Sequence, residues 1–325
     1  MRPMRIGRVA AGLWLALGLL GAQGARADET VTIGTVGQGS ATNWPTYIAV
    51  AKGFFAAEAI KPDFVYTPSN AGLVQQLAAG SLEVALSSGL VDPLRAIDKG
   101  APLAIAGLEI QSPPYALLAK PAIKSMAELK GKIVSLGGPK DITRIFVERM
   151  LGPSGVKPGE FDMVFAGATS ARFSALQSGA VDAALLLPPF NFYAESAGFR
   201  TVGLTVDYAP DLPFSGSLVN RTWASKNEGT VKKLMAVGEK SIAWFGDPQN
   251  RDEAIRIMVE ASKLKPEDVA KAYDFLQEHK FFANAGKVSR AKLTVLITAL
   301  RDLGDIEGTG EVERFVLPGV AKVTD

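Results

Sequence analysis

Small polar residues and glycines recur directly after apolar runs in this chain. After VTIGTV (31–36) come Gln38, Gly39 and Ser40, then Asn43 and Trp44. DFVYT (63–67) is followed by Ser69 and Asn70, and EVALS (83–87) ends in Ser87 with Ser88 and Gly89 behind it. Farther on, KIVSLGG leads to Gly138, Pro139, Lys140 and Asp141. FDMVFAG leads to Thr169 and Ser170, and VDAALLL to Pro188, Pro189, Phe190 and Asn191. Hydroxyls, carboxamides and glycines bind by hydrogen bonding and do no redox work. In front of helices they add free N–H groups and the positive dipole end, which suit a carboxylate, a sulfonate or a similar anion. Trp44 and Phe190 are read as apolar walls beside this polar grip. Each hydroxyl or amide competes with a plain capping role, and Trp44 with a place in the core. For Lys140 and Arg172 the competing reading is solvated surface.

The rest of the composition removes most other chemistry. There is no cysteine and one histidine, His279. The usual zinc sites are excluded, and a serine nucleophile would have to use His279 as its base. GTVGQG lacks the G-x-G-x-x-G spacing and the acidic ribose partner about 20 residues on. Walker, HExxH and GxSxG motifs are missing from the sequence. No metal and no cofactor is expected.

The 325 residues carry 35 basic and 33 acidic side chains. Four of the arginines lie in the first 27 residues, which hold no acid, so the remainder is slightly acidic and gives no footprint for nucleic acid. Arg2, Arg5 and Arg8 precede the apolar run VAAGLWLALGLLGA (9–22), and Ala25-Arg26-Ala27 follows. This is the pattern of a secretory signal cleaved near Ala27/Asp28. An uncleaved anchor is the competing reading, but the run falls short of the roughly 20 residues that span a bilayer. An exported chain without cysteine forms no disulfides and takes no lipid anchor. The expectation is a free periplasmic protein, monomeric, with 47% hydrophobic residues supplying its core.

The elements that must position the polar residues alternate strand and helix with short links, the pattern of a largely parallel α/β sheet. The rhythm restarts near residue 115. LAAGSLEVALS (77–87) aligns with LQSGAVDAALL (176–186), and TIGTVG (32–37) with KIVSLGG (132–138). Two α/β lobes of similar construction follow from this internal repeat, joined by strands at roughly 115–119 and 214–219. Glu83 and Asp182 are expected to hold the turn after the preceding glycine. Beyond FSGSLVN (214–220) the chain reads as helical throughout, with helices at about 227–246, 250–262, 266–277 and 288–303.

GTVGQGSATNWPTYIAVAKGFFAAEAI, VQQLAAGSLEVALSSG, MAELKGKIVSLGG and FSALQSGAVDAALLLPPFNFYAESAGFRTVG resemble the nitrate/sulfonate/taurine-type solute-binding proteins of ABC importers. The likeness runs from about residue 30 to 220. The resemblance implies a two-lobed, type II-like periplasmic binding protein fold. Each lobe would be a mostly parallel sheet flanked by helices, with a two-strand hinge and a helical C-terminal extension. It assigns 28–115 and 218–325 to lobe I and 116–217 to lobe II. It also implies a small-molecule ligand in the cleft and an ABC permease as partner. A periplasmic sensor subunit and an enzyme of the pyrimidine-synthase type remain as alternatives. Many relatives carry Ser or Thr after the second-lobe glycines, where this chain has Pro139-Lys140-Asp141. Proline removes an N–H donor, and Asp141 repels an anion unless Lys140 offsets it, so an amine-bearing or larger aromatic ligand stays open.

Overall fold

The computed structural model describes residues 29–325, so the leader and its cleavage point lie outside the described residues. β1 (Glu29–Val36), β2 (Ile60–Thr67), β3 (Val84–Gly89) and β4 (Leu103–Ile110) alternate with α1 (Trp44–Ala51), α2 (Phe54–Ala57), α3 (Asn70–Ala78) and α4 (Val91–Asp98). The chain then crosses to a second unit. This contains β5 (Ala116–Ala119), β6 (Ile133–Leu136), α5 (Ile142–Leu151), β7 (Asp162–Phe165), α6 (Thr169–Gln177), β8 (Ala183–Leu186), α7 (Phe190–Ser196) and β9 (Arg200–Leu204). It returns through β10 (Ser215–Asn220) into α8 (Arg221–Ala224), α9 (Glu228–Gly246), α10 (Arg251–Ser262) and α11 (Pro266–Glu278). The final elements are β11 (Lys287–Ser289), α12 (Arg290–Asp302), α13 (Val312–Phe315) and β12 (Lys322–Thr324).

Two five-stranded sheets result, in the orders β2-β1-β3-β10-β4 and β7-β6-β8-β5-β9. In each, one strand runs against its neighbours, β10 in the first and β5 in the second. Both are the strands by which the chain enters a sheet from the other lobe. β5, β8 and β10 are buried along their whole length, as strands covered on both faces must be, and the apolar runs of β5 and β8 follow from that.

The internal repeat has a structural counterpart. In the first sheet Ile33 pairs with Val84, and in the second Val134 pairs with Ala183, the same two positions of the repeat. Glu83 and Asp182 also match. Asp182 is tied to the turn after its glycine through Lys120, whose ammonium donates to Asp182 Oδ1 at 2.8 Å and to the Gly179 carbonyl at 3.2 Å, while among the described residues the Glu83 carboxylate makes no bond to its turn. Each carboxylate reaches sideways to the neighbouring strand, accepting from the Thr32 N–H at 2.7 Å and the Ile133 N–H at 3.0 Å. This satisfies an amide at the head of the sheet that would otherwise lack a partner.

Two features differ from the sequence-based expectation. Residues 115–119 and 214–219 fall largely in the sheet strands β5 and β10, and the passages between lobes are the segments 111–115 and 205–214. These passages are tied together: the Thr205 hydroxyl donates to the Pro113 carbonyl at 2.7 Å, and the Lys292 ammonium to Gln111 and Pro210 carbonyls. The tail is also not wholly helical, because β11 and β12 pair in parallel. Of its helices α9 and α10 pack on α1, and α11 packs on α10 and on α7 of the second unit. Among the described residues, no helix is long and apolar enough to cross a membrane.

Candidate functional site

The carboxyl ends of the parallel strands of both sheets face one another across a cleft, the position at which open α/β sheets place their ligands. The cleft encloses a cavity of about 60 Å³. From the first lobe it is lined by Gln38, Ser40, Thr42, Asn70 and Ser87. The second contributes Gly137, Asp141, Thr169, Ser170 and Arg172, and Tyr115 and Phe214 of the crossings form the back wall.

The lobes meet along main-chain atoms. The Ala41 N–H donates to the Pro188 carbonyl at 2.9 Å, and the Ala168 N–H to the Pro68 carbonyl at 3.1 Å. Gly167, at φ +72°, allows this approach, since a β-carbon there would lie 2.3 Å from the Pro68 oxygen. At one flank the Arg95 guanidinium bonds both the Lys140 carbonyl and Asp305. At another, Phe192 of α7 meets Phe275 of α11 edge to face, 5.7 Å between centroids.

Arg172 is the one cation lining the cavity among the described residues, with Asp141 its only charged counterpart there. It is 3% exposed, and its guanidinium lies over the Tyr115 ring, 5.3 Å from the centroid. Among the described residues no carboxylate lies within 4.0 Å of it, and its Nε is buried with no acceptor. A buried cation in this state is costly until an anion reaches it. The free N–H groups of Thr169 and Ser170, which open α6, line the same space. Burial pushes the Tyr115 phenol up to about 12, with Arg172 opposing, so the ring stays neutral beneath the guanidinium. Asp141 lines the cavity too, but one carboxylate oxygen is committed to capping α5, accepting from the Thr143 N–H and hydroxyl at 2.9 and 2.6 Å. The point where a Gly137 β-carbon would stand is 2.7 Å from Asp141 Oδ1 and 3.1 Å from Arg172 Nη1, so only glycine leaves both groups room.

The predicted site residues separate into two groups. Gln38, Ser40, Asn70, Ser87, Asp141 and Thr169 line the cavity. The others support it or lie elsewhere. Trp44 is fully buried, packed on Phe245 and Tyr273, and its indole N–H donates to the Ala254 carbonyl at 2.9 Å. It is therefore core, fixed by the tail helices, and not a pocket wall. Lys140 points away from the cavity, with a side chain 70% exposed and 3.8 Å from Asp305. Gly39 turns toward Ser262, and its N–H donates to the Tyr47 hydroxyl. Asn43 holds Thr35, Ser69 caps α3 through the Gly72 N–H, and Ser88 donates to Asn70. The Gly138 carbonyl closes the turn to Asp141, and the Pro188 carbonyl takes the cross-lobe bond from Ala41. Phe190 packs on Phe173, and Asn191 is buried behind the cavity lining.

Arg172 is the cavity residue that the sequence leaves undecided against solvated surface. A signal existed: Arg172 follows Thr169 by three residues on a helix and shares its face. Tyr115 and Phe214 carried none, because they sit on the crossings and reach the cavity only once both lobes are in place.

A cavity shut between two such lobes, with the crossings behind it, defines the class as the two-lobed periplasmic binding protein fold. Residues 41–251, more than half of the chain, match the family model described as NMT1/THI5 like, and the chain belongs to that family. Among solved structures it is similar to the alkanesulfonate-binding protein SsuA from Xanthomonas axonopodis pv. citri bound to MOPS. The TM-score is 0.73 at 18% identity, over 91% of this chain and 98% of that one. It is also similar to the periplasmic aliphatic sulphonate binding protein SsuA from Escherichia coli, with TM-score 0.71 and 18% identity over 91% and 94%. The periplasmic nitrate-binding protein NrtA from Synechocystis PCC 6803 gives TM-score 0.65 and 16% identity over 75% and 69%. No match to a curated protein was found by sequence.

Proposed function

We propose that the protein is an extracytoplasmic solute receptor. It captures a small ligand bearing an anionic group by lobe closure and delivers it to an ABC permease. The observation that carries this is Arg172, a buried guanidinium that has the Tyr115 ring beside it but no paired carboxylate among the described residues, with its Nε unsatisfied, lining a cavity assembled from both lobes. Its planar fork matches a carboxylate, sulfonate or nitrate, and the Thr169 and Ser170 amides supply further donors. The cavity limits the buried part of the guest to a few heavy atoms, since a dry cavity of about 150 Å³ is what benzene fills. Contacts to both lobes exist only when the cleft is shut, so binding shifts the population toward the closed form. A permease would then read both lobe surfaces at once. The sulfonate- and nitrate-binding neighbours support an anionic ligand, and the leader supports export.

Isothermal titration of protein stripped of bound solute tests this, with nitrate, alkanesulfonates, 2-aminoethanesulfonate and small carboxylates as titrants. At least one is expected to bind with one-to-one stoichiometry, and Arg172→Gln to abolish the signal. Silence across the whole panel, or binding indifferent to Arg172, would overturn the proposal.

A further inference from the structure

Behind the cavity floor, on the side of the first sheet covered by α1 and α9, lies a second chamber of about 40 Å³ with mainly apolar walls. Ser87 lines both spaces, and Glu109 of β4 stands at the head of the second. Glu109 Oε1 accepts from the Ser217 hydroxyl at 2.6 Å and from the Ser87 N–H at 3.1 Å. Glu109 Oε2 lies 2.7 Å from Ser87 Oγ, and Ser87 Oγ lies 2.8 Å from the Thr42 carbonyl oxygen. Two short oxygen–oxygen contacts thus meet at one hydroxyl, which owns a single proton. The Thr42 carbonyl can only accept. Both contacts are hydrogen bonds only if the carboxyl contributes a proton, giving the chain Glu109 O–H to Ser87 O–H to Thr42 C=O. An ionised Glu109 would take the Ser87 proton and leave two lone-pair oxygens facing each other at 2.8 Å.

We infer that Glu109 is a positioning residue that works as a neutral carboxylic acid, its proton locking Ser87 and the Thr42 turn into the wall of the ligand cavity. Ser87 needs such a hold, because it sits at φ +55°, a conformation a serine adopts at a cost. The surroundings agree with a neutral acid. Burial pushes the Glu109 carboxyl above its ordinary value. Among the described residues, the one other charged side chain lining the chamber is Glu239 of α9, itself paired with Lys322 of β12. β3, β10 and the turn before α1 present only hydroxyls and main-chain groups to Glu109. The bearing on binding rests on the receptor proposal; the protonation state does not, and the test needs no ligand.

Infrared spectra of glutamate-¹³C-labelled protein at pH 7 are expected to show a protonated carboxyl band that Glu109→Gln removes. A neutral acid in the fold that ionises on unfolding also predicts that the unfolding constant of the wild type rises relative to that of Glu109→Gln. The expected rise is about tenfold per pH unit above pH 5. Amide NMR shifts of Thr42 and Ser87 should stay near wild type in Glu109→Gln, whose NH₂ replaces the O–H, and move in Glu109→Leu. Absence of the band together with a flat stability ratio overturns the neutral acid, even if the leucine variant fails to fold. Unmoved Thr42 and Ser87 signals in a folded Glu109→Leu overturn the positioning role.

Discussion

Gly167 of the second lobe sits so close to Pro68 of the first that a β-carbon on the glycine would stand 2.3 Å from the proline carbonyl oxygen. That clash exists only with the cleft shut. Gly167→Ala is expected to fold and to remain open. Small-angle scattering should show no compaction on adding ligand, and affinity should fall at least tenfold. Gly179→Ala is the control, with a similar backbone at φ +78° and open space around it. Both should lose about 1 kcal/mol to backbone strain, and only the first should lose closure.

Removing the Arg172 charge should separate binding from stability. Arg172→Gln is expected to weaken ligand binding by a hundredfold or more, in the range of a truncated buried charge contact. The unliganded fold should be unharmed or firmer, because an unpaired buried cation has gone. Calorimetric titration and thermal unfolding of the same sample check this; equal loss in both would make Arg172 structural.

Trp44→Ala should behave in the opposite way. The ring fills the junction of α1, α9 and α11 against Phe245 and Tyr273, and truncating a buried tryptophan of this kind costs about 3–5 kcal/mol. Urea unfolding should report that loss, while affinity of the folded fraction stays within a few-fold of wild type.

Asp92 gives the stability a pH slope of known sign. Burial raises its carboxyl to about 6, with the Asp141 charge adding, and Asn70 and Arg95 opposing. The folded state holds a proton that the unfolded chain releases at the ordinary value of 3.8. The contribution is therefore full below 3.8 and lost as pH rises through about 6. At most about 3 kcal/mol is involved. Asp92→Asn should flatten the wild-type decline between pH 4 and 7 in denaturant titrations; an unchanged slope would assign it to other groups.

The strands, the caps and the duplication could be read from the sequence because they are local. Ser69 before α3 and Asp141 before α5 bond the amides their types suit, and the repeat is visible in paired glycines and acids. Burial by distant segments could not be read. Trp44 looked like a pocket wall since nothing in α1 announces that α9 and α11 will cover it. Lys140 and Arg172 could not be told apart for a similar reason: both are cations near helix starts, and only the opposing lobe decides which one is enclosed. The tail carried no motif, although it supplies Phe275 to one flank of the closed cleft and Asp305 to another.

The cross-lobe bonds from Ala41 to Pro188 and from Ala168 to Pro68 join main-chain groups; any residue supplies the carbonyl, and any but proline the N–H. Substitution elsewhere in the cavity wall leaves those groups in place. On the receptor reading, one guest can therefore be exchanged for another by altering hydroxyls and charges while the jaws keep the same bite, and a lineage built on this frame is free to diversify its diet without rebuilding its hinge.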